Sequence, residues 1–291
     1  MADPADPTRV TVDGRTLLLT SLDKILYPAT ETTKGEVLAY YAQVAPVLLP
    51  HLAGRPVTRV RWPHGVEKDS FFEKNVPAGA PSWVERVDVG DVTYPLVPDT
   101  ATLTWIANLN ALELHVPQWR LVDGEPTDPD RLVIDLDPGA PATLTECCQV
   151  ALLVRERLGG LGMTLHPVTS GSKGMQLYAA LGTDLSSEQV TTLARTLAEE
   201  LTKAHPDLIV YRMTKSLRPG KVLLDWSQND GHKTTISPYS LRGKEDPWVA
   251  APRTWDEVEE GAAKGGSLRQ LSYDQVLARL DRDGDLLADL A

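Results

Sequence analysis

Phenylalanine is almost absent from this chain of 291 residues: there are two, Phe71 and Phe72, side by side. Cysteine is as scarce and again adjacent, at Cys147 and Cys148. Neighbouring cysteines rarely pair with each other, and two thiols without histidines nearby make no zinc site. A disulfide-stapled scaffold is therefore excluded. Two small apolar residues on a helix remain, in keeping with a reducing, cytoplasmic setting. No run reaches the ~18 apolar residues of a membrane-spanning helix, so no membrane partner is expected. Met1-Ala-Asp-Pro-Ala-Asp-Pro7 lacks the basic and apolar segments of a secretory leader, and residues 1–9 are expected to form a disordered tail. Positive charge is in deficit: 29 Lys and Arg against 40 Asp and Glu give a net charge of −11. That argues against nonspecific coating of DNA but not against a local cationic site.

Such a site is present in the pattern. From residue 211 to 244 the basic residues are Arg212, Lys215, Arg218, Lys221, Lys233, Arg242 and Lys244, against only Asp225 and Asp230. The hydrophobic content of 42% is ordinary for a chain with a real core. Residues 10–19 alternate around Asp13-Gly14 as a hairpin. Thr33 is placed to cap a helix to about Leu52, which Pro46 should kink or split. Phe71 and Phe72 fall in a polar loop. Residues 131–136 read as a strand, Thr143 and Glu146 have the spacing of a capping box, and a helix runs to about Leu158. Strands over 164–169 and 175–180, a helix capped by Ser186 or Ser187, and strands over 208–213 and 222–225 complete a β-α-β-β-α-β order. That order predicts an α+β fold. Its catalytic half, residues 126–245, is an RRM-like split βαβ packed on a mixed N-terminal half, 10–125, with an extension over 246–285. Asp281-Arg-Asp-Gly-Asp285 has the wrong spacing for a calcium loop and reads as a solvated acidic end.

Asp135 and Asp137 stand two apart on a strand, so they share a face while Ile134 and Leu136 turn to the core. Two like charges ~4 Å apart repel by about 4 kcal/mol at an effective dielectric near 20. A divalent cation relieves that repulsion, and all-oxygen ligation favours Mg²⁺ or Mn²⁺ over zinc. An Asp-x-Asp triplet also arises by chance in an acidic chain. Asp225, ending the apolar run 222–224, supplies the third ligand if its strand lies beside that of Asp135. Three carboxylates then suffice for a two-metal site serving a 3′-hydroxyl and a leaving pyrophosphate. Thr169-Ser-Gly-Ser-Lys-Gly174 is not a Walker loop, but its backbone N–H groups, Ser170, Ser172 and Lys173 suit a triphosphate. Arg218, Gln228, Asn229, Ser240 and Arg242 are placed to ring the same ligand, and His115 to face the same pocket. Phe71 and Phe72 either stack on bases or lid a small core. Lys24 and Lys34, either side of Tyr27-Pro28, suit a terminal phosphate, though paired surface lysines usually do nothing.

The motifs Leu132-Val-Ile-Asp-Leu-Asp-Pro-Gly139, Thr169–Gly174, Thr214-Lys-Ser-Leu-Arg218, Asp225-Trp-Ser-Gln-Asn229 and Pro238-Tyr-Ser-Leu-Arg242 resemble the polymerase domain of bacterial ligase D. That domain lies in the archaeo-eukaryotic primase superfamily. Asp23–Pro28, Phe71–Lys74, His115–Trp119 and Ala251–Trp255 extend the likeness over nearly the whole chain. The resemblance implies gap filling and end extension in nonhomologous end joining, with ribonucleotides preferred and Mn²⁺ favoured. It implies a bacterial, nucleoid-associated setting, gapped or end DNA with a 5′-phosphate, NTP or dNTP, and Ku and a ligase as partners. Lys24 and Lys34 fall at its 5′-phosphate positions, Phe71 and Phe72 at template-contacting ones, and Arg61 joins them as a DNA candidate. Ser170, Lys173, Arg218 and Arg242 match nucleotide-contacting positions, and His115 an active-site histidine. One departure stands out: the family commonly has Gly-x-His-Leu-Tyr where this chain has Gly174-Met-Gln-Leu-Tyr178. Gln176 donates a hydrogen bond but carries no charge, so weaker triphosphate binding is expected. A metal nuclease, or a non-catalytic module binding 5′-phosphorylated ends, is the alternative to a polymerase. Neither accounts for the phosphate-binding groups gathered around the carboxylates.

Overall fold

Asp13 and Gly14 take φ values of 48° and 74°, the left-handed turn that joins β1 (Thr8–Val12) to β2 (Arg15–Leu19). The computed structural model describes residues 7–182, 185–263 and 265–290. Thr8 and Arg9, expected in a disordered tail, are therefore in a paired strand; residues 1–6 of that tail lie outside the described residues. β3 (Ile25–Tyr27) and β4 (Thr32–Thr33) lead into α1 (Lys34–Leu52). Thr33 caps it with a full box: its hydroxyl accepts from Glu36 N, and the Glu36 carboxylate accepts from Thr33 N. Pro46 does not split the helix: α1 runs on through Pro46 and Pro50. An interior proline costs roughly 3 kcal/mol. Val37, Tyr40, Tyr41, Val44, Leu48 and Leu52 are buried along the same helix, and full burial contributes ~1.5–3 kcal/mol for each large apolar side chain. Packing outweighs the lost bonds.

β5 (Thr58–Arg61), β6 (Phe71–Glu73), the hairpin of β7 (Arg86–Val89) and β8 (Val92–Pro95), α2 (Thr100–Asn108) and β9 (Ala111–Val116) follow. Phe71 and Phe72 are thus not in a loop. They lie on a short edge strand paired with β5, 52% and 60% exposed. A further hairpin, β10 (Trp119–Val122) and β11 (Glu125–Pro129), precedes the second half. There β12 (Arg131–Pro138), α3 (Leu144–Gly159), β13 (His166–Thr169), β14 (Met175–Ala180), α4 (Ser187–Ala204), β15 (Ile209–Val210) and β16 (Val222–Asp225) succeed one another. β17 (Thr235–Ile236), β18 (Trp248–Val249), β19 (Ala251–Pro252), α5 (Trp255–Ala262), β20 (Leu271–Ser272) and α6 (Tyr273–Asp283) complete the chain.

Two sheets organise these elements. One has the order β15-β16-β12-β14-β13-β19, the other β17-β9-β5-β6. Leu132, Ile134 and Leu136 pack with residues of α3 and α4 in one apolar cluster, whereas Val133 and Tyr178 belong to the cluster of α1, α2 and β9. Alternation on β12 thus gives one face to the helices and the other to the N-terminal half. The acidic end is not wholly solvated: Tyr239 donates to Asp285, and Leu287 and Leu290 are buried in the N-terminal cluster.

Two consequences are measurable. A Cβ on Gly174 would stand 1.9 Å from the Leu136 carbonyl oxygen on β12, so Gly174→Ala should cost about 1–3 kcal/mol in denaturant unfolding by overpacking. His51 is fully buried, neither ring nitrogen has a hydrogen-bond partner among the described residues, and burial, then the nearby Arg131 and Arg55 charges, lowers its pKa from 6.5 to about 3. The unfolded chain therefore binds a proton below pH 6.5 that the folded chain refuses. Stability should fall with pH from 6.5 downward, at up to about 1.4 kcal/mol per unit, until about 3. His51→Phe should reduce that slope in denaturation curves taken between pH 6.5 and 5.

Candidate active site

β12 and β16 pair antiparallel with Asp135 directly opposite Asp225 and Asp137 opposite Leu223. Opposed residues project from the same side of a sheet, and residues two apart on one strand do so as well. All three carboxylates therefore stand on one face of the sheet, the face of Val133. Asp135 is half-buried and Asp225 is 9% exposed, while Asp137 opens to solvent at the strand end. Asp225 is held firmly: one carboxylate oxygen accepts from Ser227 N and Oγ, the other from Gln228 Nε2 at 3.0 Å. Asp135 Oδ1 accepts from Gln176 Nε2 at 3.1 Å, and Tyr178 OH donates to Gln176 Oε1 at 2.9 Å. Gln176 thus meets the acid itself, with its amide oriented by a tyrosine of the same strand.

Burial, then the charge of Asp137, pushes the pKa of Asp135 up; burial, then Asp225, does the same to Asp137. Asp137 is the more exposed of the two, so water screens it and the pressure falls chiefly on Asp135. Arg218, Arg242 and Lys173 act in the opposite direction on Asp137. Like-charged carboxylates held together with only oxygen donors suit a hard divalent cation. Among the described residues no three ligating side chains converge on a single point, so the acids share a face without closing into a cage.

A cleft of about 220 Å³ is lined by His115, Asp135, Asp137, Ser170, Ser172, Gln176, Gln228, Thr234, Thr235, Ile236 and Arg242. The loop from Ser170 to Gly174 reaches it because Gly174 lies against the Leu136 carbonyl and Gly171, at φ 67°, lies against Arg242. Ser170 N closes the loop onto the Gly174 carbonyl at 3.0 Å. Arg218 does not line the cleft: its backbone packs on Gly139 beyond the end of β12, its Nη2 donates to the Met213 carbonyl at 2.8 Å, and its charge acts on Asp137 from there. Lys173 is exposed beside the cleft. Two residues expected around the ligand are structural instead. Asn229 is buried and clamps β12, accepting from Val133 N at 2.9 Å and donating to Val133 O at 2.7 Å. Ser240 is buried and accepts from Leu114 N.

On the opposite wall, His115 Nε2 lies 2.8 Å from Glu113 Oε2, and Arg242 Nη1 lies 3.4 Å from the same oxygen. Burial pushes the Glu113 pKa up, but the bond from His115, the Arg242 charge and the Gly243 N–H together hold it below the usual carboxylate value. Glu113 was not singled out from the sequence, though it stands in the same i, i+2 relation to His115 as Asp135 to Asp137. Thr234 and Thr235 were also missed; β17 carries no charged or glycine signal.

The DNA candidates are only partly free. Lys34 is 2% exposed and donates to Thr20 Oγ1 at 3.2 Å; burial, then Lys24 and Arg61, lowers its pKa to about 8. The surface position expected for Lys34 is thus a nearly covered one, with Lys24 and Arg61 close by. Lys24 Nζ donates to the Pro63 carbonyl. Arg61 is engaged with Glu73 at 2.7 Å and the Leu109 carbonyl at 2.7 Å. Phe71, opposite Arg61 in the ladder, and Phe72 remain open to solvent.

Residues 33–287 match the family described as LigD, primase-polymerase domain. The multifunctional non-homologous end joining protein LigD of Mycolicibacterium smegmatis is 52% identical over 276 residues, covering 94% of this chain and 36% of that protein. The bifunctional non-homologous end joining protein LigD of Bacillus subtilis is 36% identical over 269 residues, 92% of this chain and 43% of its relative. The chain therefore spans less than half the length of these relatives. A solved structure, the polymerase domain of Mycobacterium tuberculosis ligase D in complex with DNA, aligns with a TM-score of 0.90 at 51% identity, over 94% of this chain and 97% of the other. Across nearly all of its described length, the chain belongs to the family of LigD primase-polymerase domains.

Proposed function

We propose that this chain is a DNA-dependent nucleotidyltransferase that fills short gaps or extends ends during non-homologous end joining, with ribonucleotides preferred. One observation carries the reading: the pairing of β12 with β16 sets Asp225 opposite Asp135, with Asp137 on the same face and phosphate-binding side chains around them. Asp135, Asp137 and Asp225 would hold Mn²⁺ or Mg²⁺ as a two-metal site. When bound, such ions neutralise triphosphate charge and favour ionisation of an attacking hydroxyl. The chain's own residues do the rest. Gln176 and Gln228 orient Asp135 and Asp225. Ser170, Ser172 and Arg242 offer donors along the cleft, and Lys173 and Arg218 add charge near Asp137. Lys24, Lys34 and Arg61 form a cationic cluster suited to a 5′-phosphate, and Phe71 and Phe72 offer ring faces to DNA bases.

The reading includes an RRM-like catalytic half over residues 126–245, an N-terminal half over 10–125 and an extension over 246–285. Support for the RRM-like label is the strand order β16-β12-β14-β13 with α3 and α4 in the connections. Ku, a ligase and a cytoplasmic, nucleoid-associated setting belong to the same reading; no described helix is long and apolar enough to cross a membrane.

The test is the pair Asp135→Ala and Asp137→Ala, assayed with Mn²⁺, NTPs and a gapped DNA bearing a 5′-phosphate. Extension should be abolished while the protein stays folded; extension at the wild-type rate would end the proposal. Cleavage of the DNA without NTPs would identify a nuclease. Gln176→His should leave extension level or raise it. A loss beyond about tenfold, ~1.4 kcal/mol, would mean that the amide is needed where it now sits, on Asp135.

A further inference from the structure

We propose that Glu113 is a positioning residue of the cleft: one buried carboxylate fixes both the His115 ring and the Arg242 guanidinium, and by taking the Nε2–H of His115 it leaves Nδ1 as the nitrogen that meets the ligand. The proposal rests on the reading above that the cleft takes a nucleoside triphosphate.

Glu113 and His115 alternate on β9 and share a face. Glu113 is 7% exposed, and both of its oxygens are in use. Oε2 faces His115 Nε2 at 2.8 Å and Arg242 Nη1 at 3.4 Å, and Oε1 accepts from Gly243 N at 3.1 Å. A carboxylate held ionised only accepts hydrogen bonds, so the imidazole nitrogen facing it carries the hydrogen. In neutral His115 the other nitrogen, Nδ1, is then an acceptor. Glu113 is the sole hydrogen-bond partner of that ring among the described residues.

The Arg242 backbone is held at both of its polar groups. Tyr27 OH donates to its carbonyl at 2.8 Å, and its own N–H donates to Trp248 O at 2.8 Å. Its side chain passes so near Gly171 that a Cβ there would come within 2.4 Å, and its buried Nε has no partner among the described residues. The stem is thus clamped by the fold, while the ion pair with Glu113 sets the direction of the head. One acid thus sets both an acceptor and a donor on the same wall of the cleft.

Two measurements decide it. First, histidine-selective ¹⁵N NMR of the substrate-free wild-type protein, with His115→Ala for assignment, should show neutral His115 in the Nε2–H tautomer. The Nδ1–H tautomer would overturn the proposal without any acidic variant being made. Second, Glu113→Gln keeps size and the acceptor for Gly243 N–H but removes the charge. It should change the His115 ring signals and weaken Mn²⁺–ATP binding roughly tenfold, with a far smaller change in kcat. Combined with His115→Ala, its effect on affinity should fall well short of the product of the two single effects, because both act on one unit. Unchanged ring signals, a full product, or a loss of thermal stability with normal affinity would each overturn it. Absence of nucleotide incorporation by the wild-type protein would sink the polymerase reading separately, since the tautomer is read without substrate.

Discussion

Mutual repulsion among three carboxylates on one sheet face is the constraint around which this molecule is arranged. Antiparallel pairing of β12 with β16 makes that proximity unavoidable, since Asp135 and Asp225 occupy opposed positions. The surrounding structure answers in two ways. Neutral donors from Ser227, Gln228 and Gln176 hold Asp225 and Asp135 in place. Cations at Arg218, Arg242 and Lys173 stand at the edge, where they offset charge while keeping the carboxylates free of direct ion pairing. That leaves an anionic floor under a cationic rim, which fits a ligand that is itself a metal complex of a polyanion.

The two walls of the cleft come from separate apolar clusters, and the segment from β17 to Arg242 joins them. β17 pairs with β9 of the four-stranded sheet, while Arg242 lies against the glycine loop of the six-stranded one. Tyrosines of α1 tie this segment down: Tyr40 OH donates to the Tyr239 carbonyl and Leu241 N donates to Tyr41 OH. Two buried contacts therefore link a helix of the N-terminal core to this segment; Tyr41 OH also donates to the Leu112 carbonyl on β9, and Tyr27 of β3 donates to the Arg242 carbonyl. Geometry at the site thus depends on residues far from it in sequence.

Local signals were more legible than relational ones, with the neighbourhood of Asp225 and Asp135 the exception. Alternation on β12 placed Asp135 and Asp137, the capping boxes at Thr33 and Thr143 located two helix starts, and the strand-end position of Asp225 suggested its partner. The hairpin of β10 and β11 was hidden because Glu125-Pro-Thr-Asp-Pro129 has the composition of a turn, and it is tertiary pairing that makes it a strand. Asn229 and Ser240 misled for a different reason: their amide and hydroxyl groups are equally fit to bind a ligand or a backbone, and only the fold decides which. Lys34 shows the same limit, since a lysine at a helix start carries no mark of being covered. Nor did composition reveal that α1 survives its two prolines, because that outcome depends on how much apolar surface the rest of the chain lays over it.

β6 closes the four-stranded sheet with an unpaired outer edge and two bare aromatic rings. Such an edge is a template for strand addition by any other polypeptide, and rings of this kind make it adhesive. Its three-residue length and the charged Glu73 and Lys74 that follow limit the hazard. The same six atoms of each ring that would grip a nucleobase are therefore a colloidal liability when no nucleic acid is present, and crowding at high protein concentration in salt strong enough to screen the net charge of −11 is where that conflict would surface as self-association.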